Sequence, residues 1–556
     1  MERTGGFRRM KASRFVLQSW ASRIHERLTR TLAIAAFPLL VLALVAVAAG
    51  CGSNAGGSSS SASSSSGATA SMPQSGGTLK VGIQPGLGQR DPILLDAVGD
   101  MIVSYQVQEA LVSLGQGMSL EPVLATEWNT ADSGKTWKIT LRDGVKFSNG
   151  QPFTADDVVY SIDRMRDKKL GSPLVEILSG IVSVVLDDPT HVTVNLKSAN
   201  AEFMGLLTDT RAKMLSKSVA DPAKEFVGTG PFMLKSYAAE DRAILVKNPA
   251  YWGKDAQGKQ LPYLDEVDVI YSPDTAGQLE GLRGGSLNWI GGITAEQKQA
   301  VEADPNLKTI SGDTNYCFEV NIRTDVGPGK QLAFRQALMA GTDRQALIDL
   351  ADPSLMVPGN GTVVGPGYGA DYLDANVPYD LTKAKALLAQ AGYANGVKIN
   401  LVAQAADPVP ALATVWQAQM KDLGVDVSIQ QVPTDVYYAD KGPTSWAEAP
   451  FSVQDWGTRA VPSMYFNLAL TTKAPWNWPR WHTPEFDKLT KDISVTTDPA
   501  KRSELYHRAQ QILQDQVPML NLGVMVGMSA VSANVNGIVQ PPDWESTLFR
   551  TAYFTK

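Results

Sequence analysis

The feature that most constrains this chain is the boundary between an apolar segment and a serine-rich segment near its amino terminus. An apolar run, residues 31–49, ends at Gly50 and Cys51, and a serine-rich tract, residues 58–66, follows it. The thirty residues before the run carry eight Lys and Arg side chains and two Glu side chains. A basic segment, an apolar segment and small residues at a cleavage site are typical of an export signal. We therefore predict a signal peptide over residues 1–50, a flexible Ser/Gly-rich tether over residues 51–76, and a folded body from there onward.

The small residues before Cys51 resemble a lipobox, the site at which bacterial lipoproteins are diacylated on cysteine and cleaved. Ala48 departs from that pattern, in which Leu or Val is commoner at its position. Cys51 is therefore the predicted lipidation site. The alternative is a retained transmembrane anchor, because the apolar run approaches the roughly 20 residues that span a bilayer. The second cysteine, Cys317, is then unpaired, and we expect it to be a small buried apolar side chain.

Composition limits the partners and the number of domains. The chain has 556 residues and a formal net charge of −6. Removing residues 1–50 leaves 42 basic residues (50 minus 8) and 54 acidic residues (56 minus 2), a net charge of −12. This negative balance argues against nucleic acid or anionic lipid headgroups as a partner. The roughly 480 residues after the tether suggest two or three domains.

Hydrophobic periodicity predicts alternating strands and helices in the body. Two arms, residues 135–141 and 145–147, around Asp143-Gly144 indicate a β-hairpin. Thr154 with Asp157 indicates the capping box of a helix. Further strands are expected at residues 77–83, 190–196, 397–402 and 425–430, and further helices at residues 101–114, 343–350, 380–391 and 498–516. Such alternation in a long chain favours an α/β architecture.

Sequence signatures of catalysis are weak in this chain. Its four His residues lack zinc-ligand spacing, and the glycine-rich turn at residues 227–232 lacks the Lys-Ser/Thr ending of a phosphate loop. There is no Gly-x-Ser-x-Gly motif. We therefore predict no metal, no cofactor and no enzymatic activity. A hydrolase built on two carboxylates is the alternative, because such pairs need not be close in sequence.

Four blocks of sequence have the order and spacing of a known family. They are residues 125–158, residues 227–253, residues 334–344 and residues 386–393, the last followed by Arg502, Tyr506, Gln510 and Pro518. On these blocks the chain resembles the family 5 extracytoplasmic solute-binding proteins of ABC importers, which include oligopeptide and dipeptide binders.

The resemblance implies an α/β fold of the periplasmic-binding-protein (Venus-flytrap) type, class II-like, with two lobes joined by a hinge. An extra α+β domain is expected on the first lobe. Lobe I is expected at residues 77–110, 225–313 and 518–556, the extra domain at residues 111–224, and lobe II at residues 314–517. In this family the ligand is buried when the lobes close, and the closed form docks on a membrane permease.

Ligand specificity is where the chain departs from the peptide binders that it resembles. In those proteins an Asp a few residues after a Trp holds the ligand's α-ammonium group. Alignment on Trp456 and Pro462 places Arg459 at that position. The Arg that holds the carboxylate in dipeptide binders is also missing, since residues 401–416 contain no Lys or Arg.

Arg459 is therefore expected to face the cleft and to favour a ligand with an acidic group, which its planar guanidinium suits. The alternative is that Arg459 pairs with Asp455 or another acid, and Asp455 is itself an alternative ammonium ligand. Asn315 and Tyr316 are expected at a lobe crossing near the cleft. The full set of candidate ligand contacts is Arg459, Trp456, Asp455, Tyr316, Asn315, Trp289 and Trp481.

The predicted function is that of a lipid-anchored, monomeric substrate-binding protein on the outer face of the bacterial cytoplasmic membrane. It would capture a small peptide or peptide-sized organic solute and deliver it to an ABC permease. The alternatives are a surface receptor for a signalling peptide and a secreted hydrolase.

Overall fold

The computed structural model describes residues 73–439, 441–542 and 544–555, with the side chain of Asp313 left out. The predicted signal peptide, Cys51 and most of the tether lie outside these residues. The largest sheet has eleven strands and mixes parallel with antiparallel pairs. Its strand order is Val425–Val432, Val397–Gln404, Phe451–Trp456, Leu307–Ile322, Met519–Ser532, Trp289–Gly291, Thr78–Ile83, Glu266–Tyr271, Arg242–Lys247 and Phe232–Ala238, with Met356–Val357 paired to Met519–Ser532.

Two long antiparallel strands, Leu307–Ile322 and Met519–Ser532, run from one lobe to the other, and we name them the crossing strands. Their ladder extends from the pair Leu307–Ser532 to the pair Asn321–Met519. The register shifts between Asp313 and Cys317, because these residues pair with Val526 and Val524 respectively. The first crossing strand therefore carries a bulge, a feature that bends a strand and raises its twist.

Each lobe has its own hydrophobic core. In lobe I, Leu79, Val81 and Val267 pack with Phe232. In lobe II, Val320, Phe334 and Trp416 belong to one core and Tyr465 and Phe486 to another. The longer helices that cover the sheet are Val98–Val107, Thr275–Arg283, Ala295–Glu302, Leu332–Ala340, Arg344–Ala351, Leu381–Gln390, Val409–Leu423, Pro484–Val495 and Pro499–Gln516.

A separate antiparallel sheet occupies the stretch that the sequence predicts as the extra domain. Its strand order is Ala125–Asn129, Thr136–Leu141, His191–Leu196 and Ile181–Asp188. The helix Ala155–Met165 buries Val158 and Ile162 in the core of this unit. The exact domain limits remain predictions. The strand Met519–Ser532 begins beside the expected limit at residue 518, yet Leu520 and Leu522 pack in the lobe II core.

Several local predictions are confirmed. Thr154 and Asp157 form the capping box, and the backbone N–H of Thr154 donates to Asp157 Oδ2 over 2.9 Å. Asp343, Asp380 and Asp498 cap helices where helices were expected, and the four predicted strands are present. Cys317 is buried and free.

The predicted hairpin at residues 135–147 is wrong. The strand Thr136–Leu141 pairs with Ala125–Asn129 and His191–Leu196. The second arm instead forms a tight loop with the residues after it, in which Phe147 N–H donates to the Gln151 carbonyl and Phe153 N–H to the Val145 carbonyl. The alternation of apolar and polar residues predicts that Thr136–Leu141 is a strand, but it does not predict which strand pairs with it.

The predicted helix at residues 101–114 is only partly right, because the helix ends at Val107 and Val112–Leu114 is a strand. The glycine-rich turn at residues 227–232 packs against the end of this helix. Gly230 N–H donates to the Val107 carbonyl over 2.9 Å. A Cβ on Gly228 would lie 1.8 Å from the Val107 oxygen, so a glycine is required for this approach.

Candidate functional site

A cavity of about 4200 Å³ lies between the lobes. Lobe I contributes Ile83–Pro85, Thr275 and Gly291–Gln297 to its lining, and Trp544 also lines it. Lobe II contributes Gln404 and the segment Gln454–Ala460. The extra domain contributes Asp209–Arg211 and Lys213. A cavity lined from both lobes is a cleft in which a ligand contacts both lobes at once.

The bulge of the first crossing strand lies at the cavity. Thr314 and Tyr316 line it, and Thr314 Oγ1 donates to the Met525 carbonyl on the other crossing strand. Side chains in this bulge therefore lie where the ladder changes register, at the junction of the two lobes.

Asp455, near the end of the strand Phe451–Trp456, accepts hydrogen bonds from two tyrosines. Tyr438 donates to its Oδ1 over 2.6 Å, and Tyr316 donates to its Oδ2. Burial, reinforced by the Asp455 charge, raises the pKa of both phenols well above the usual value. The phenols therefore stay protonated and hold the carboxylate at the cavity wall.

Arg459 lies on the loop that follows this strand. Its backbone N–H donates to the Tyr465 hydroxyl over 3.0 Å, and its carbonyl accepts from the Tyr368 hydroxyl over 2.7 Å. The guanidinium carbon lies 6.0 Å from the Trp456 ring centre. Within the described part of the chain, Arg459 has no ion pair, and its buried Nε has no hydrogen-bond acceptor. The loop is thus fixed while the cation at the cavity lacks a counter-charge.

Four tryptophans form an aromatic wall on the lobe II side of the cavity: Trp446, Trp456, Trp476 and Trp478. Trp478 lies at the centre of this group, with ring centres 4.1 Å from Trp446, 5.2 Å from Trp456 and 6.1 Å from Trp476. Of the four, only Trp456 was among the candidate contacts. The concentration of tryptophans near turn residues was the available signal, but it did not place them together.

The remaining three candidates are buried, Trp289 and Trp481 in hydrophobic cores, and they are not among the described residues that line the cavity. Asn315 Nδ2 donates to the Val363 carbonyl and the Tyr465 hydroxyl over 3.1 and 3.0 Å. Trp289 packs against Phe549, and Trp481 packs against Phe486. Asn315 therefore reaches the cavity only indirectly, through the tyrosine that holds Arg459.

The residues that the structure describes contain no group of three or more His, Cys, Asp or Glu side chains that could hold a metal ion. No helix formed by these residues is both long enough and apolar enough to cross a membrane.

Comparison with known proteins gives a consistent picture. The family described as bacterial extracellular solute-binding proteins, family 5, matches residues 119–478. The glutathione-binding protein GsiB of Shigella flexneri serotype 5b is 26% identical over 483 residues, which cover 82% of this chain and 90% of the relative.

Two solved structures share the fold. The periplasmic murein tripeptide-binding protein MppA, in an unliganded open form, has a TM-score of 0.75 at 22% identity, covering 86% of this chain and 97% of its own. HbpA2 from Haemophilus parasuis has a TM-score of 0.74 at 22% identity, covering 86% of this chain and 100% of its own. These neighbours support the two-lobed fold.

The matched family is one of solute-binding proteins and not of enzymes. The match covers more than half of the chain, and it includes both the bulge and the aromatic wall. This chain therefore belongs to the bacterial extracellular solute-binding proteins of family 5, the extracytoplasmic binding proteins of ABC importers.

Proposed function

We propose that this protein captures a small peptide or a peptide-sized organic solute with an acidic group and delivers it to an ABC permease. The observation that carries the proposal is the cavity between the lobes, at which Arg459 lies without an ion pair among the described residues. Hinge closure would bring both lobes onto the ligand and exclude water.

The size of the cavity supports a ligand larger than a single amino acid. Pockets for small molecules usually have volumes of about 300–1,000 Å³, whereas this cavity has about 4200 Å³ before any closure. Two similar proteins are named for a tripeptide and for glutathione, which is also a peptide. We therefore propose a peptide-sized ligand for this chain.

Arg459 supports an acidic group on the ligand. A guanidinium offers two parallel donors to a carboxylate, and such a pair is strongest where water is excluded. We propose direct contacts for Arg459, Trp456, Asp455 and Tyr316. For Asn315, Trp289 and Trp481 we propose supporting roles, because they are buried behind the wall or in lobe I.

A lipid at Cys51 would keep the protein on the outer face of the cytoplasmic membrane, near its permease. A lipoprotein cysteine carries two or three acyl chains, which hold firmly where one would hold marginally. The tether would leave a monomeric body free to open and close. Membrane fractionation of Cys51→Ser tests the anchor: the variant should be released, and a variant that stays membrane-bound would indicate a retained apolar helix instead.

Native mass spectrometry of freshly purified protein tests the binding function, because it should show a retained ligand that is released intact on unfolding. Arg459→Ala should weaken binding of that ligand about thirtyfold or more, which corresponds to about 2 kcal/mol. Arg508→Ala is the matched control, since Arg508 pairs with Glu485 and does not line the cavity. Equal binding by both variants would contradict the role of Arg459, and a chemically altered ligand would favour a hydrolase.

Deleting the cognate permease separates import from signalling. An importer component should lose uptake, whereas a receptor for a signalling peptide should keep its response.

A further inference from the structure

The aromatic wall has one exposed member. Trp476 is 38% exposed, whereas Trp456 and Trp478 are 3% and 8% exposed. Since Trp476 also lines the cavity, part of its indole faces the space between the lobes. A large apolar side chain is seldom left in contact with water at the centre of a binding cleft unless a partner covers it.

Its neighbours fix the orientation of Trp476. Its ring is nearly parallel to that of Trp478, at an angle of 10°, and its ring centre lies 6.1 Å from Trp456 and 6.3 Å from Trp446. Its backbone N–H donates to the Leu468 carbonyl over 2.9 Å. A ring held in this way loses little conformational freedom when another ring packs on it, so the usual cost of ordering an exposed side chain is small.

The exposed ring and the cation at the cavity are close together. Trp476 and the Arg459 guanidinium each lie about 6 Å from the Trp456 ring centre, on a shared wall. They are therefore at most about 12 Å apart. An extended chain spans about 3.5 Å per residue, so one ligand can reach both points if its flat group and its acidic group are within about three residues of each other.

From this arrangement we infer that the ligand carries an aromatic or similarly flat ring close to its acidic group, and that this ring packs on Trp476 while the acid binds Arg459. The inference rests on the proposed function and names the chemical class of its ligand. Indole is suited to the role because aromatic rings attract one another beyond the burial of their area. Tight packing among the four tryptophans explains the three less exposed rings but leaves the exposure of Trp476 unexplained.

Isothermal titration of the full mature chain tests the inference with three tripeptides: Gly-Phe-Glu, the same peptide with cyclohexylalanine in place of Phe, and Gly-Ala-Glu. We expect Gly-Phe-Glu to bind about tenfold more tightly than Gly-Ala-Glu, with the saturated ring between them. Trp476→Ala should remove this preference and leave the affinity for Gly-Ala-Glu within about twofold. Trp476→Phe should keep most of the preference, because it retains a ring.

Tyr379→Ala is the control, since Tyr379 is an exposed aromatic residue that does not line the cavity. It should leave all three affinities unchanged. If wild-type protein binds the three peptides equally, or if Trp476→Ala weakens all three by the same factor, the ring site is overturned while the proposed function stands. If wild-type protein binds none of the three peptides and retains no peptide or acidic solute on purification, both the ring site and the proposed function are contradicted.

Discussion

The extra domain meets the two lobes at two buried glutamates that are built differently. Glu109, in lobe I just before the extra domain begins, accepts hydrogen bonds from Thr229, Tyr251 and Trp252 of the same lobe, and its backbone carbonyl accepts from the N–H of Met214 in the extra domain. Glu202, at its junction with lobe II, accepts from Ser463 and Tyr506 and has Arg502 Nε at 3.6 Å. Burial raises the pKa of both carboxyls, and the hydrogen bonds only partly offset this effect.

The difference lies in how completely each acid is held. Glu109 has one more donor, and each acid has an arginine nearby: Arg550, which donates to Tyr251 over 3.4 Å, near Glu109, and Arg502 near Glu202. The junction is closed further by Arg142, whose guanidinium carbon lies 4.0 Å from the Trp252 ring centre. Both donors to Glu202 are hydroxyls, whereas Glu109 also accepts from the indole N–H of Trp252, which cannot rotate toward another acceptor. We therefore expect the lobe I junction to be the more rigid of the two.

The largest effect is expected from breaking the lobe I junction. Glu109→Ala would leave the indole N–H of Trp252 without an acceptor, and it would remove the acceptor of two hydroxyls and the counter-charge of Arg550. We expect a loss of about 5 kcal/mol in the free energy of unfolding, measured by urea titration. Glu109→Gln keeps an acceptor and should lose less than half as much. Equal losses in the two variants would show that the carboxylate charge, and not the volume or the neutral acceptor that Gln retains, dominates the junction.

Glu319 is a buried acid that lies at neither junction, so it provides a third case with which the two junction acids can be compared. Burial raises the pKa of Glu319, on the first crossing strand, to about 8. Because the folded state then holds a proton that the unfolded state has lost, stability should fall as pH rises from the unfolded value of 4.5 through about 8. Between pH 5 and 8 the loss is about 4 kcal/mol.

Glu319→Gln, which cannot ionise, should remove that part of the pH dependence. Thermal unfolding measured from pH 5 to pH 8 checks this expectation. The variant should be the more stable protein at pH 8 and close to wild type at pH 5. If its pH profile matches that of wild type, the loss belongs to the junction acids Glu109 and Glu202.

The smallest effect is expected at the lobe II junction. Glu202→Ala should cost about 2–3 kcal/mol in the free energy of unfolding, because both of its donors are rotatable hydroxyls and no indole N–H is left without an acceptor. Ser463 lies four residues after Arg459, so this variant should also weaken ligand binding by several-fold. Glu109→Gln serves as the comparison, since it acts at the other junction. A Glu202→Ala protein with unchanged affinity would show that the junction does not position the ligand loop.

Much of the fold could be predicted from the sequence because the signals are local. Capping residues such as Asp343 and Asp380 act within one turn of their helices, and strand alternation is read from a few residues. The hairpin at residues 135–147 failed because a strand's pairing partner can be distant: Thr136–Leu141 pairs with His191–Leu196.

The site was harder to predict for the same reason. Asp455 and Arg459 could be predicted because each lies within a few residues of Trp456 in the sequence. The junction acids could not, since Glu202 lies 304 residues before Tyr506 and Glu109 lies 120 residues before Thr229. The aromatic wall forms because the loop that carries Trp476 and Trp478 packs against Trp446. The course of that loop depends on tertiary contacts, which no local sequence pattern predicts.

The bulge in the first crossing strand places a candidate hinge between the two lobes within the sheet itself. The ladder is regular from Leu307 to Asp313 on one side of the bulge, and on the other side its register shifts again between Phe318 and Glu319. Tyr316, within the bulge, is tied to Asp455 by a hydrogen bond at the cavity wall. We therefore expect a ligand that binds Asp455 to act on the bulge itself, through Tyr316, so that ligand binding and movement of the lobes are coupled at one place.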